Sequence, residues 1–121
     1  MLPHNLECNK VVYAGTHIVN TIRDWWDNLK QEENNNVLKY LSLTEEDDIP
    51  WALIQAAVSS VAQTAVVPMQ DILGLGNSAR MNISTTQFGN WGWRIPNSMT
   101  FDSLEAQAKK LRDMLSMYGR L

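Results

Sequence analysis

The sequence predicts a helix-rich α/β chain built from two β/α units. Three observations carry this. Two short β-branched runs, "KVVYA" (Lys10 to Ala14) and "TAVVP" (Thr64 to Pro68), read as strands that stop at a loop. Each is followed by apolar residues at helical spacing. Strands that alternate with helices in this way pair in parallel.

The elements follow in chain order. "VVY" has no alternation, so the first strand is expected to be buried. Gly15-Thr16 breaks it. In "TIRDWWDNL" (Thr21 to Leu29), Ile22, Trp25, Trp26 and Leu29 fall on one helical face, with Asn20 as the expected N-cap. Glu32 and Glu33 suit the first turn of a second helix running to about Leu41, with Val37, Leu38 and Leu41 inward. Thr44 and Asp47 form a capping-box-like pattern, Asp47 and Asp48 suit the positive end of a helix, and Pro50 fits a first turn. The helix from Ile49 to about Gln63 is apolar nearly all round and is expected to be well covered. Gln70 to Ser98 reads as irregular, punctuated by glycines and Pro96. A last helix runs from Phe101 to Tyr118. Asp102 or Ser103 is its expected cap, Leu104, Ala108, Leu111 and Leu115 its face, and Gly119 its stop.

Two parallel strands leave two raw edges and an uncovered core. The pattern is that of a slice of a β/α barrel, and a marginal fold prone to self-association through its uncovered surfaces is expected.

The 121 residues fit one domain, and 45% hydrophobic with 19% charged residues is a globular composition. A net charge of −3 argues against nucleic acid, whose phosphates demand a basic face. No apolar run approaches a membrane span, and the N-terminus "MLPHNLECNK" has neither a signal core nor transit-peptide character. Cys8 is the single cysteine, so no internal disulfide forms, and a reducing compartment is expected. The sequon at Asn82 is expected to be idle. Five tryptophans in so short a chain serve either core packing or a platform for the flat face of a sugar.

Little of the chain carries a chemical motif. "GLG" and "GNWG" lack the spacing of a phosphate loop. His4, Glu7, Cys8 and His17 lack zinc-ligand spacing, so neither metal nor cofactor is expected. His17 is different, because it follows a strand, where barrel active sites lie. It could donate to a substrate hydroxyl or be satisfied by neighbouring backbone. Arg80, Gln87, Asn90 and Arg94 could line the same mouth or hold the long loop through its carbonyls.

"LPHN…NKVVYAGTH", "TIRDWW", "VPMQDILGLGNSARMN" and "TQFGNWGWRIP" closely resemble the C-terminal part of the 4-alpha-glucanotransferases. These are the amylomaltases or disproportionating enzymes of glycoside hydrolase family 77, and the plant plastid type fits best. The resemblance covers essentially the whole chain. It implies the last two or so β/α units of a (β/α)8 TIM barrel, residues 1–121 being part of the catalytic barrel with no further domain. It also implies a plastid location, though this chain shows no transit peptide; the alternative expectation is the cytoplasm.

The implied chemistry is transfer of α-1,4-glucan segments to another glucan or to glucose, in starch or maltodextrin metabolism. It uses an aspartate nucleophile, a glutamate acid/base and a second aspartate that stabilises the transition state. Retaining chemistry of this kind needs carboxylates around an oxocarbenium-like centre. The first two are expected on strands outside this chain. The third belongs to a Gly-Thr-His-Asp-Asn-Asp-Thr motif, here Gly15, Thr16, His17, Ile18, Val19, Asn20 and Thr21. Ile18 thus occupies the aspartate position, so the chain alone is expected to carry no catalytic residue and no activity. By resemblance, His17 and Asn90 are the substrate-binding residues, and α-1,4-glucans or maltooligosaccharides the only partners. The competing expectations are a non-catalytic glucan-binding or regulatory module, or a relic without function.

Overall fold

The computed structural model describes residues 2–16 and 18–121. Two strands, β1 (Val11–Tyr13) and β2 (Thr64–Val66), pair in parallel with Val11 opposite Thr64, Val12 opposite Ala65 and Tyr13 opposite Val66. Helices α1 (Ile22–Asp27), α2 (Gln31–Leu41) and α3 (Ile49–Val58) lie between them, and α4 (Met69–Ile72) and α5 (Glu105–Met117) follow. The strands are not buried as expected. They alternate: Val12 and Ala65 are half-buried, whereas Val11, Tyr13, Thr64 and Val66 are exposed. One face of the pair is therefore open, and period-2 burial reappears.

The core centres on α3. Trp51, Ile54 and Val58 are buried together, and Val67, Ile72, Leu111, Met114, Leu115 and Tyr118 pack against them. The Lys110 ammonium sits 4.6 Å from the Trp51 ring centroid, a cation–π contact over the edge of this core. The α3 helix contacts α1, α4 and α5, and so holds both β/α units to one body.

It begins at Ile49 as expected, but its cap and its end differ from expectation. Thr44 and Asp47 do not cap it. The Thr44 N–H and hydroxyl donate to Asp47 Oδ2 at 2.7 and 3.0 Å, closing a local turn and holding that carboxyl below the ordinary aspartate range. Asp48 is the cap, accepting the Trp51 N–H at 3.3 Å. The helix ends at Val58 rather than near Gln63. The Ser60 hydroxyl donates to the Ala57 carbonyl at 2.7 Å. Arg120 then gathers the chain that follows, donating to the carbonyls of Val58, Ser60, Ala62 and Gln63 at 2.6, 3.0, 2.7 and 3.3 Å.

Four further expectations are corrected. Thr21, not Asn20, caps α1: its backbone is extended and its hydroxyl accepts the Asp24 N–H at 3.2 Å. Val37, Leu38 and Leu41 are only half-buried, because α2 lies on the outside of the body. The stretch after Pro68 is not wholly irregular, since α4 forms directly behind that proline. The last helix begins with a 3-10 turn (Asp102–Leu104), and neither Asp102 nor Ser103 makes a side-chain cap. Of the expected face Leu104 is buried and Leu111 and Leu115 pack on the core, whereas Ala108 is exposed; Met114 and Tyr118 complete the inward side. Gly119 does stop the helix, at φ +68°, with Arg120 N–H donating back to the Leu115 carbonyl at 2.8 Å. No helix among the described residues is long and apolar enough to cross a membrane.

Candidate functional site

The two parallel strands deliver their loops to one end of the sheet. Ala14 N–H donates to the Val66 carbonyl at 3.0 Å, carrying the ladder one residue past β1. Gly15 and Thr16 then turn away beside Pro68. Between these loops lies a cleft of about 200 Å³, lined among others by Gly15, Asn20, Gln70, Asp71, Arg80 and Trp91.

Asp71 is the floor of this cleft. It is 2% exposed, and its Oδ1 accepts the Ile22 N–H at 2.8 Å. The other oxygen lies under Gly15, where an added Cβ would stand 3.1 Å from it. Burial pushes the Asp71 carboxyl above the ordinary aspartate range, and the Ile22 hydrogen bond opposes the shift.

The long loop closes the opposite wall. Trp91 has φ +62°, a conformation rare for a bulky side chain, and is 56% exposed. Its N–H donates to the Met81 carbonyl at 2.6 Å, which pins the loop at this point. Asn90 Oδ1 accepts the Ile83 N–H at 2.8 Å, and its Nδ2 donates to the Thr86 carbonyl at 3.0 Å. The Asn90 amide thus folds the loop that presents Trp91. Arg80 lines the cleft, and its Nε is buried without a hydrogen-bond partner among the described residues. Arg94 Nη1 donates to the Trp93 carbonyl at 3.0 Å, holding its own loop, and Gln87 is exposed. The tryptophans divide: Trp51 is core, Trp26 and Trp93 are half-buried, and Trp25 and Trp91 are exposed.

Of the motif residues, His17 lies outside the described residues. Ile18 and Val19 are 53% and 48% exposed, and Ile18 borders open hollows on either side of its loop, one with Tyr13 and Val66, the other with Trp25 and Leu53. Among the described residues that line the cleft and these two hollows, Asp71 is the only carboxylate. No group of three His, Cys, Asp or Glu side chains among the described residues could hold a metal ion, and Cys8 is exposed. Sequence reasoning gave no role to Asp71. Its one local signal is a lone acid set between apolar Met69 and Ile72.

Parallel strands, each followed by helix, with polar side chains gathered beyond their C-terminal ends, define the active face of a β/α enzyme scaffold. The sequence profile of glycoside hydrolase family 77, 4-alpha-glucanotransferase, matches residues 1–100, and the chain belongs to this family. It is 65% identical over 120 residues to the chloroplastic/amyloplastic 4-alpha-glucanotransferase of Arabidopsis thaliana, covering 99% of this chain and 21% of that protein. The chloroplastic/amyloplastic enzyme of Solanum tuberosum is 66% identical over 120 residues, again over 99% of this chain and 21% of the relative. An amylomaltase from Streptococcus agalactiae, solved in complex with acarbose, superposes with a TM-score of 0.87 at 32% identity, over 98% of this chain and 23% of that one. The chain therefore spans about a fifth of the length of the curated relatives it matches.

Proposed function

We propose that this chain forms two consecutive β/α units from the C-terminal part of a (β/α)8 glucanotransferase barrel and offers their loops to α-1,4-glucan. By itself it transfers nothing. The observation that carries this reading is that the single carboxylate among the described residues of the cleft, Asp71, is buried and committed to the Ile22 N–H. Glycosyl transfer with retention needs a carboxylate nucleophile and a separate acid/base on either side of the scissile bond. The Ile18 side chain has neither charge nor hydrogen-bonding atom, so position 18 supplies no electrostatic stabilisation of an oxocarbenium ion. The plastid is the proposed compartment, by likeness to relatives named as chloroplastic/amyloplastic.

The test is incubation of the purified chain with maltotriose, followed by release of glucose and appearance of longer maltooligosaccharides. Neither is expected. Sustained turnover at a rate proportional to chain concentration would overturn the reading.

A second reading has its own support. Trp91 is exposed at the rim of a polar cleft and is fixed there by a short backbone hydrogen bond. An aromatic face held in place is what sugar stacking requires. In this reading His17 and Asn90 contact a bound maltooligosaccharide without cutting it, Asn90 through the amide N–H left over from its loop bonds. Titration with the maltose series, followed by tryptophan fluorescence in the chain and in Trp91→Phe, tests it. A saturable shift that Trp91→Phe removes supports a glucan-binding module. No shift at high millimolar sugar rejects it and leaves the relic.

A further inference from the structure

Asp71 is too deeply placed to touch a substrate, yet it bridges the two loops that make the cleft. It belongs to α4, directly behind β2. Its partner, the Ile22 N–H, is the first backbone donor of α1, which follows β1 by way of the loop 14–21. A first-turn N–H of a helix has no partner within the helix. Here the partner comes from 49 residues away in sequence. Thr21 supplies the local cap to Asp24 N–H and is itself buried, so the C-terminal end of the loop is fixed twice. At the other end, Gly15 rests against the second Asp71 oxygen, closely enough that a methyl group there would force the carboxyl to move. One side chain therefore binds the first residue of α1 and lies close to Gly15, on either side of position 18.

We infer that Asp71 is a positioning residue: it holds the chain at Gly15 and at Ile22, on either side of Ile18 and Val19, and so sets how Val19 and Asn20 line the glucan cleft. The inference rests on the reading of this cleft as the glucan-facing one. Asp71 is not a catalytic residue. Its geometry needs an acceptor oxygen at Oδ1 and a flat, small group at Oδ2. Asparagine keeps the first through its own Oδ1, whereas alanine keeps neither.

The test uses the intact chain and requires neither sugar nor turnover, so it can fail while the glucan reading stands, and the converse. Amide hydrogen exchange and chemical shifts are measured by NMR in wild type, Asp71→Ala and Asp71→Asn. In Asp71→Ala the protection of the Ile22 amide is expected to fall about tenfold, as for a lost buried hydrogen bond. Thr16, Val19 and Asn20 resonances should move or broaden, while Met114 and Leu115 on α5 keep theirs. Asp71→Asn should restore the Ile22 protection and the loop resonances. A merely structural contribution to the core would not show this confinement or this rescue.

If Asp71→Ala loses the α5 signals as well, the chain has unfolded and Gly15→Ala decides. Its added Cβ should reproduce the loop and Ile22 changes with α5 intact. The inference is overturned if Asp71→Ala folds with the Ile22 amide and loop unchanged, or if Asp71→Asn behaves as Asp71→Ala. It is equally overturned if Gly15→Ala, where it must decide, leaves Ile22 unmoved.

Discussion

Arg120→Ala is the perturbation that should report most clearly on how the two β/α units are held together. The guanidinium makes four hydrogen bonds to carbonyls, at 2.6 Å to Val58, 3.0 Å to Ser60, 2.7 Å to Ala62 and 3.3 Å to Gln63. Val58 is the last residue of α3, where helix carbonyls lack partners and a cation is favoured. Hydrogen bonds to a charged group are worth about 1.5–3 kcal/mol each, but four from one fork do not add. The 3.3 Å contact is weak, and the Gln63 carbonyl can turn to water. We therefore expect a loss of about 3 kcal/mol, that of one or two strong bonds plus a helix-end charge.

At about 0.05 kcal/mol per residue, 121 residues give roughly 6 kcal/mol of total stability, so half of it rests on this side chain. The melting temperature should fall by about 12 °C, at about 4 °C per kcal/mol for a domain of this size. Urea denaturation read by far-ultraviolet circular dichroism and by tryptophan emission measures it, since Trp51 lies in the core beside α5. Arg120→Lys should recover less than half, because an ammonium is one point charge and not a planar fork. A loss below about 0.5 kcal/mol, the range of ordinary surface substitutions, would refute the assignment of Arg120 as the clamp.

Ile54→Ala removes a side chain that is 0% exposed at the centre of the core, so about 3 kcal/mol should be lost in urea melts. Gly119→Ala meets no atom within 4 Å but must hold φ +68°, so about 1 kcal/mol should be lost from backbone strain alone, and Gly119→Asn should lose less. The pH dependence of Asp71→Asn has a definite sign. Burial raises the native Asp71 carboxyl, so the native state keeps its proton at pH values where the unfolded chain, near about pH 4, has released it. Wild type should lose stability relative to Asp71→Asn as pH rises from the unfolded value through the native one. A difference that stays constant from pH 4 to 7 would contradict the raised value. Finally, Val11, Tyr13 and Val66 are exposed on a two-stranded sheet in which both strands are edges, so sedimentation velocity should show concentration-dependent association. A single monomer species at 100-fold dilution and at the undiluted concentration alike would count against it.

What the sequence disclosed, and what it withheld, separates by the distance over which backbone groups find their partners. The β-branched runs, the Pro68 boundary and the Gly119 stop were legible, because their causes lie within a few residues. The end of α3 was not. Its apolar pattern continues through Val61 and Ala62, and nothing nearby says that the carbonyls of Val58, Ser60 and Ala62 belong to Arg120, 58 to 62 residues away. The inward face of α5 was legible in its larger residues: Leu104 is buried, and Leu111 and Leu115 pack on the core as their spacing predicts. Ala108, at the edge of that face, is exposed, and Met114 and Tyr118 widen the face toward Trp51.

At the cleft the same division holds. The residues that a resemblance can place, Ile18 and Asn90, are those whose sequence neighbours form a motif. Asp71 is assigned by a single hydrogen bond across 49 residues and by the absence of a side chain at Gly15, neither of which leaves a periodic trace. Asp71 answers to a demand of the fold: it must keep a buried helix start and a glycine in register, and that demand remains wherever the chain folds.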